Sequence, residues 1–411
     1  MMNKFSNFKF SNFSQFLVWV ILSFTIASFI FNNLPEYSKS AYRPTIVTHP
    51  MEKLGADFTA NYVAANSIRE GLNPYKNNAR FGSRFVNPYL SREWPVYVYP
   101  IIGAYFFIPL SFFSIALAYK LWIIISLILL LLSIIYLVQI FPSKLLVFTT
   151  LVTISFLSYP LLFALERGIS DIIILFLLCI AFYYQVKGRN DWITALTISM
   201  SILIKLYPGI FLLYFVIRRK WGLVKKILLF LFILTFSTFN LGLLKDSFTS
   251  IQNFSTKPTI WIGNHSLISF LSLNRWSETF LLPVSFFIIL SMTGTTFYFA
   301  YKRRQKDNLF DFLEWGICFI LMTIIPSVSH DYNLILQIFT VAGIFYYFRT
   351  IKNFRRKNLF LAVSSILLIS TLFAPTFIVF ANPFLSNKFP ILFLLWILLF
   401  YLHLDKQAES I

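Results

Sequence analysis

Few residues in this 411-residue chain can do acid–base or electrostatic chemistry: 16 are acidic and four are His. Asp57 stands in Gly55-Ala-Asp-Phe58, in a polar segment between two apolar blocks, with small neighbours that leave room beside it. A carboxylate so placed suits a general base that takes the proton from an attacking hydroxyl. The competing structural role is to cap the helix that opens there. Glu166-Arg167-Gly168, with Asp171 one turn on, is expected to open a helix after Tyr159-Pro160. Arg167 in this cluster would contact a phosphate or an acceptor, or else Glu166 and Arg167 form an ion-paired helix start. Lys205 stands in Ile202-Leu-Ile-Lys-Leu-Tyr-Pro208, inside the apolar run 192–217, where an ammonium needs a partner. The phosphate of a lipid carrier would provide one, and snorkelling to an interface is the alternative.

Two further places carry His. His265, in Asn264-His-Ser266, would bind a phosphate or a hydroxyl, or is an ordinary loop histidine. Ser327-Val-Ser-His330-Asp331-Tyr332 is the densest polar cluster of the C-terminal half. A charged His330 would pair with phosphate while Asp331 holds it protonated, or Asp331 or Ser329 caps a helix over 331–348. Other chemistries have no residues to carry them. There is no metal-spaced His/Cys cluster, no Walker A motif and no GxSxG, so the sequence points to no particular cofactor, and a divalent cation stays open without a ligand set to support it. Cys179 and Cys318 both lie in apolar runs, which implies no disulfide framework.

The elements that must hold these groups are membrane helices. The chain is 58% hydrophobic and 12% charged, with mean hydropathy +0.72, whereas soluble domains carry about 25% charged residues. The net charge of +19 comes in short basic clusters between apolar runs, which is a topology signal rather than a nucleic-acid surface. The fold expected is all-α: a single integral-membrane domain over 1–411, with about twelve crossings and both termini in the cytoplasm. A retained first helix near 16–31 would lead to a long first extracytoplasmic loop over 33–96, and a second large loop would span 245–278. Within the first loop, Phe58, Tyr62, Ala65 and Arg69 recur at helical spacing, so a short amphipathic helix on the membrane surface is expected to end at Gly71-Leu-Asn-Pro-Tyr75.

The middle of the chain allows two arrangements. Either every apolar run from 97 to 217 crosses once, or 97–113 is re-entrant and 192–217 breaks at Lys205-Leu-Tyr-Pro208. The second fits the charge bias better and places Glu166-Arg167 and Lys205 outside.

In order and spacing the chain resembles glycosyltransferase family 87, within the GT-C superfamily of integral-membrane glycosyltransferases. The residues that carry the resemblance are Gly55-Ala-Asp57 with Tyr62, Gly71-Leu-Asn-Pro-Tyr75, Tyr97-Val-Tyr99-Pro100 with Pro109, and Ala118-Tyr-Lys-Leu-Trp122. They continue with Glu166-Arg-Gly168 through to Lys187-Gly-Arg189, Ile204-Lys-Leu-Tyr-Pro208, Arg218-Arg-Lys-Trp221, Asn264-His-Ser-Leu267 and Ser329-His-Asp-Tyr332. The resemblance implies a GT-C-like fold, an inner (plasma) membrane location and an active site on the extracytoplasmic face. It implies inverting transfer of a hexose, mannose first, from a polyprenyl-phosphate donor to a lipid or glycan acceptor, with Asp57 as base. Lys205 and His330 match positions suited to the carrier phosphate; Arg167, Glu166, His265, Asp331 and Tyr62 complete the substrate-binding candidates. Relatives often show Gly-Gln-x-Asn where this chain has Arg167-Gly-Ile-Ser-Asp171, a departure that bears on the acceptor and the sugar. The rival readings are a flippase or transporter for lipid-linked saccharides, which would favour pseudo-repeats, and a ligase or polymerase, whose large loop would come late in the chain.

Overall fold

The computed structural model describes residues 55–76, 97–237, 241–256, 260, 263–303, 307–350, 354–373 and 387–409. The expected first helix near 16–31 lies outside them, as does most of the first loop. Among the described residues the chain is helical, with no strand and a single isolated bridge between Asn264 and His330.

The first half comprises α1 (Ala56–Arg69), α2 (Ile101–Tyr105), α3 (Ile115–Val138), α4 (Lys144–Phe156), α5 (Tyr159–Arg167), α6 (Asp171–Val186), α7 (Asp191–Ile204) and α8 (Ile210–Ile217). The second half comprises α9 (Trp221–Ser237), α10 (Leu241–Thr256), α11 (Leu267–Leu273), α12 (Glu278–Lys302), α13 (Asn308–Ile324), α14 (Ile338–Thr350), α15 (Phe354–Leu372) and α16 (Phe389–Glu409). Short 3-10 turns lie at Leu110–Phe112, Tyr207–Gly209 and Asp331–Gln337.

Among the described residues two helices, α3 and α12, are each long and apolar enough to cross a membrane alone. The 24 residues of α3 extend about 36 Å, enough for a hydrocarbon core of about 30 Å. Both show apolar side chains outward, among them Ile124 and Ile128 on α3 and Phe286 and Phe287 on α12. In water that surface would be a liability; in lipid it is the favoured exterior. Two bent pairs bring the spans to as many as four: α4 with α5, bent by 60°, and α9 with α10. The other apolar helical stretches among the described residues run 10–17 residues each, Asp171–Val186 and Phe389–Leu404 among them.

Breaks like these are tolerated because neighbouring side chains satisfy the freed backbone groups. In the middle of the chain the helices break where the second arrangement puts its breaks. Residues 97–113 form only α2 and a 3-10 turn, and the 192–217 run parts into α7 and α8 around an extended Lys205. Glu166-Arg167 does not open a helix, however: it closes α5, because Gly168 turns left-handed at φ +67° and ends it.

The end of the bundle remote from Asp57 carries its own buried charges. Arg303 pairs with Asp311 at 2.6 Å, and Glu314 receives Tyr214 Oη at 2.7 Å and faces His403 Nε2 at 3.1 Å. This network joins α8, α12, α13 and α16, each charge offset by a partner as buried ions require.

Candidate active site

The site is built where α1 meets the end of α5. The carbonyls that end α5 are received by α3: Tyr119 Oη donates to Leu165 O and Glu166 O (3.0 and 2.7 Å), and Trp122 Nε1 donates to Gly168 O (3.0 Å). Glycine on both sides of the junction lets the helices touch. A Cβ on Gly55 would lie 2.3 Å from Glu166 O, and one on Gly168 would lie 2.5 Å from Phe58 Cβ.

This close approach sets Asp57 against Arg167. The guanidinium Nε donates to Asp57 Oδ2 at 2.7 Å, and Tyr99 Oη lies 3.3 Å from Asp57 Oδ1. Asp57 is therefore not the helix cap: Gly55 holds that position, and no side chain bonds there. Nor does α1 lie on a surface. Phe58, Tyr62, Ala64 and Ala65 are buried, and its polar side chains turn back onto its own backbone, Asn61 to Asp57 O, Asn66 to Tyr62 O and Ser67 to Val63 O. Small apolar residues and self-satisfied amides make a helix that can be buried on every side.

A second ion pair contributes to the same site. Lys205 Nζ bonds Asp171 Oδ2 at 2.5 Å, so its partner comes from the start of α6. The other Asp171 oxygen takes Asn333 Nδ2 at 2.7 Å and the Tyr207 hydroxyl. The Lys205 ammonium lies 5.1 Å from the Tyr99 ring centre and 5.9 Å from those of Tyr207 and Tyr332, within cation–π range. The chain break at Lys205 makes this possible, because an extended residue aims its side chain where a helical one would not.

The partner expected for His330 goes to the other histidine. Asp331 does not hold His330; it receives His265 Nε2 at 3.0 Å. Lys388 N donates to His265 Nδ1 at 3.2 Å, so the proton of this buried imidazole sits on Nε2 and points at Asp331. Antiparallel pairing of Asn264 with His330, with His265 N donating to Ser329 O at 2.6 Å, turns successive side chains to opposite sides. His330 therefore faces the cavity, with Nδ1 3.4 Å from Gly263 O, while His265 and Asp331 face the interior behind it.

Burial lowers the His330 imidazole from 6.5 to about 4, so it is neutral near pH 7. It would meet a phosphate as a neutral hydrogen-bond partner rather than a cation. Because the unfolded chain takes up this proton first, stability is lost as pH falls from 6.5 toward 4. The unfolding midpoint of His330→Gln is accordingly expected to drop less than that of the wild type between about pH 7 and about pH 5. Equal drops in a thermal-shift titration would contradict this.

These groups surround a cavity of about 780 Å³. Its lining combines the polar side chains of Asp57, Tyr99, Arg167, Lys205, Tyr207 and His330 with the apolar ones of Ile251, Phe254, Ile268, Ile325 and Val328. Four candidates stand off this lining: Glu166, whose backbone carbonyl receives Tyr119; His265 and Asp331, paired behind His330; and Tyr62, whose hydroxyl donates to Phe113 O at 2.7 Å. Tyr99, Tyr207, Tyr332 and Asn333 were not among the candidates, although Tyr99 and Tyr207 each stand next to the proline that shapes their loop. Among the described residues, no group of three or more His, Cys, Asp or Glu converges as a metal site.

A family model described as glycosyltransferase family 87 matches residues 97–326, more than half the chain. The chain belongs to glycosyltransferase family 87. The family 87 match takes in Tyr99, Arg167, Asp171, Lys205, Tyr207 and His265, whereas Asp57 and His330 lie on either side of it. With its apolar helices, membership makes this a membrane glycosyltransferase. Among solved structures the chain is similar to ArnT from Cupriavidus metallidurans in the apo state. The two are 12% identical over 96% of this chain and 79% of that one, with a TM-score of 0.39. No curated protein matches the chain.

Proposed function

We propose that this family 87 enzyme transfers a hexose, mannose first, from a polyprenyl-phosphate donor to a hydroxyl of a lipid or glycan acceptor. Transfer occurs on the extracytoplasmic face with inversion at the anomeric carbon. The acceptor oxygen attacks C1, the bond from C1 to the phosphate oxygen breaks, and the lipid phosphate leaves with the electron pair. Asp57 takes the proton of the attacking hydroxyl. Negative charge grows on the departing phosphate, where Arg167 and Lys205 stabilise it, and fixed donors in a site partly shielded from water are effective at this.

The observation that carries the reading is the mixed lining of the cavity. A carboxylate, a guanidinium and an ammonium line it together with the apolar side chains of Ile251, Phe254, Ile268, Ile325 and Val328. A lipid-borne phosphosugar needs both at once: polar groups for the sugar and phosphate, and a greasy flank for the carrier chain. Arg167 can serve carboxylate and phosphate together, since its five donors are only partly used by Asp57. Membership of family 87 supports glycosyl transfer, and the resemblance supports the donor class, the inversion and the outer face.

Competition tests the donor class. Polyprenyl phosphate is expected to compete with the donor, and nucleoside diphosphates are not; competition by a nucleoside diphosphate alone would contradict the reading. Lys205→Ala is expected to raise the donor KM by about ten-fold or more and leave the acceptor KM nearly unchanged, from the loss of one charged hydrogen bond. The double variant Lys205→Ala/Asp171→Asn removes both charges and so guards against misfolding from an uncompensated buried carboxylate. An unchanged donor KM in both would remove the phosphate role of Lys205.

A further inference from the structure

A second concavity of about 490 Å³ lies beside the catalytic one, and Val98 and Phe254 line both. Its wall is unlike that of its neighbour. Tyr75 and Lys76 come from the turn after α1, and Asp246, Thr249, Ser250 and Asn253 come from one side of α10. The charges cancel: Lys76 Nζ stands 2.8 Å from Asp246 Oδ2, which also receives Asn73 Nδ2 at 2.6 Å. What remains is hydroxyls, an amide, a carboxylate and an aromatic ring around a space open to solvent.

We propose that this groove binds an uncharged saccharide and holds a glycan acceptor while its terminal hydroxyl reaches Asp57. The assignment rests on the reading of the neighbouring cavity as a glycosyl-transfer site, and it narrows the acceptor from lipid or glycan to glycan. The chemistry selects the ligand. A carboxylate accepts hydrogen bonds from sugar hydroxyls, amide and hydroxyl side chains both donate and accept, and a tyrosine ring covers an apolar sugar face. Among the described lining residues a phosphate would find no unbalanced cation, and a lipid chain would leave these polar groups without water.

Geometry places the groove next to the reacting atoms. Tyr75 Oη donates to Tyr99 O at 2.7 Å, and the Tyr99 hydroxyl touches Asp57 at 3.3 Å. One residue therefore separates the groove wall from the base. The wall is also held in place: Tyr75 N donates to Asn73 Oδ1 at 2.9 Å, and Ser250 Oγ donates to Tyr97 O at 3.1 Å, tying α10 to the segment that carries Tyr99. This gives the Asn73-Pro-Tyr75 stretch a role that the catalytic cavity does not supply.

Saturation-transfer NMR on the full-length protein in detergent tests the assignment, with methyl α-mannoside, maltose and lactose as probes. Thr249 is exposed, so Thr249→Trp fills the groove without disturbing a core. At least one probe is expected to show transfer in the wild type, reduced about ten-fold in Thr249→Trp, while binding of polyprenyl phosphate stays the same. Transfer equal in both proteins, or absent for every probe, overturns the assignment. Failure of polyprenyl phosphate to bind, alongside saccharide binding that Thr249→Trp abolishes, removes the donor reading and leaves the groove assigned.

Discussion

Replacing Asp57 by Asn is expected to slow transfer by about 10²–10⁴-fold, the usual contribution of a positioned general base. The amide matches the carboxyl in shape and keeps an oxygen for Arg167 and Tyr99, but it cannot take the acceptor proton. The folding cost should be small. The Arg167 side chain is 35% exposed, so water takes over part of the lost ion pair. The expected signature is a collapse of kcat with an unfolding midpoint and a donor affinity close to wild type. Near-normal turnover by a folded Asp57→Asn protein would contradict the role given to this carboxylate.

Gly55→Ala and Gly168→Ala are expected to damage both stability and turnover, although neither adds a polar group. At Gly55 the new methyl meets the carbonyl oxygens of Glu166 and Arg167 at 2.3 and 2.4 Å, backbone that α3 holds in place. At Gly168 it meets Phe58 Cβ at 2.5 Å, on a backbone at φ +67°. Overpacking and the left-handed conformation together cost about 2–4 kcal/mol. Relief comes only by moving α1 away from α5, which separates Asp57 from Arg167, and a misplacement of about 1 Å can cost about 10²-fold in rate. Thermal unfolding and steady-state kinetics on both variants check this. Wild-type behaviour in Gly55→Ala would mean that the tight junction does not position the base.

Local chemistry was the readable part of the sequence. The apolar runs marked helices, Pro208 marked the break beside Lys205, and Gly71, at φ +70°, marked the end of α1. Distant pairings carry no such signature. Asp57 and Arg167 are 110 positions apart, and only the packed junction shows that the carboxylate faces the guanidinium. Asp171 stood out as a departure from relatives, yet its place as counter-ion to Lys205 depends on how α6 and the chain break come together. His330 and Asp331 looked like a pair because they are neighbours, but extended backbone sends neighbouring side chains to opposite sides, and Asp331 went to His265. The pattern Phe58, Tyr62, Ala65, Arg69 suggested a surface helix because periodicity cannot reveal polar side chains that bond their own backbone.

The most direct measurement is a product analysis. The purified protein in liposomes is incubated with polyprenyl-phosphate mannose and a panel of glycan and lipid acceptors, followed by mass analysis and NMR of the anomeric centre. A new glycoside with inverted configuration, formed together with polyprenyl phosphate and missing in Asp57→Asn, is the predicted result. A lipid donor left intact, or a product of retained configuration, would contradict the account.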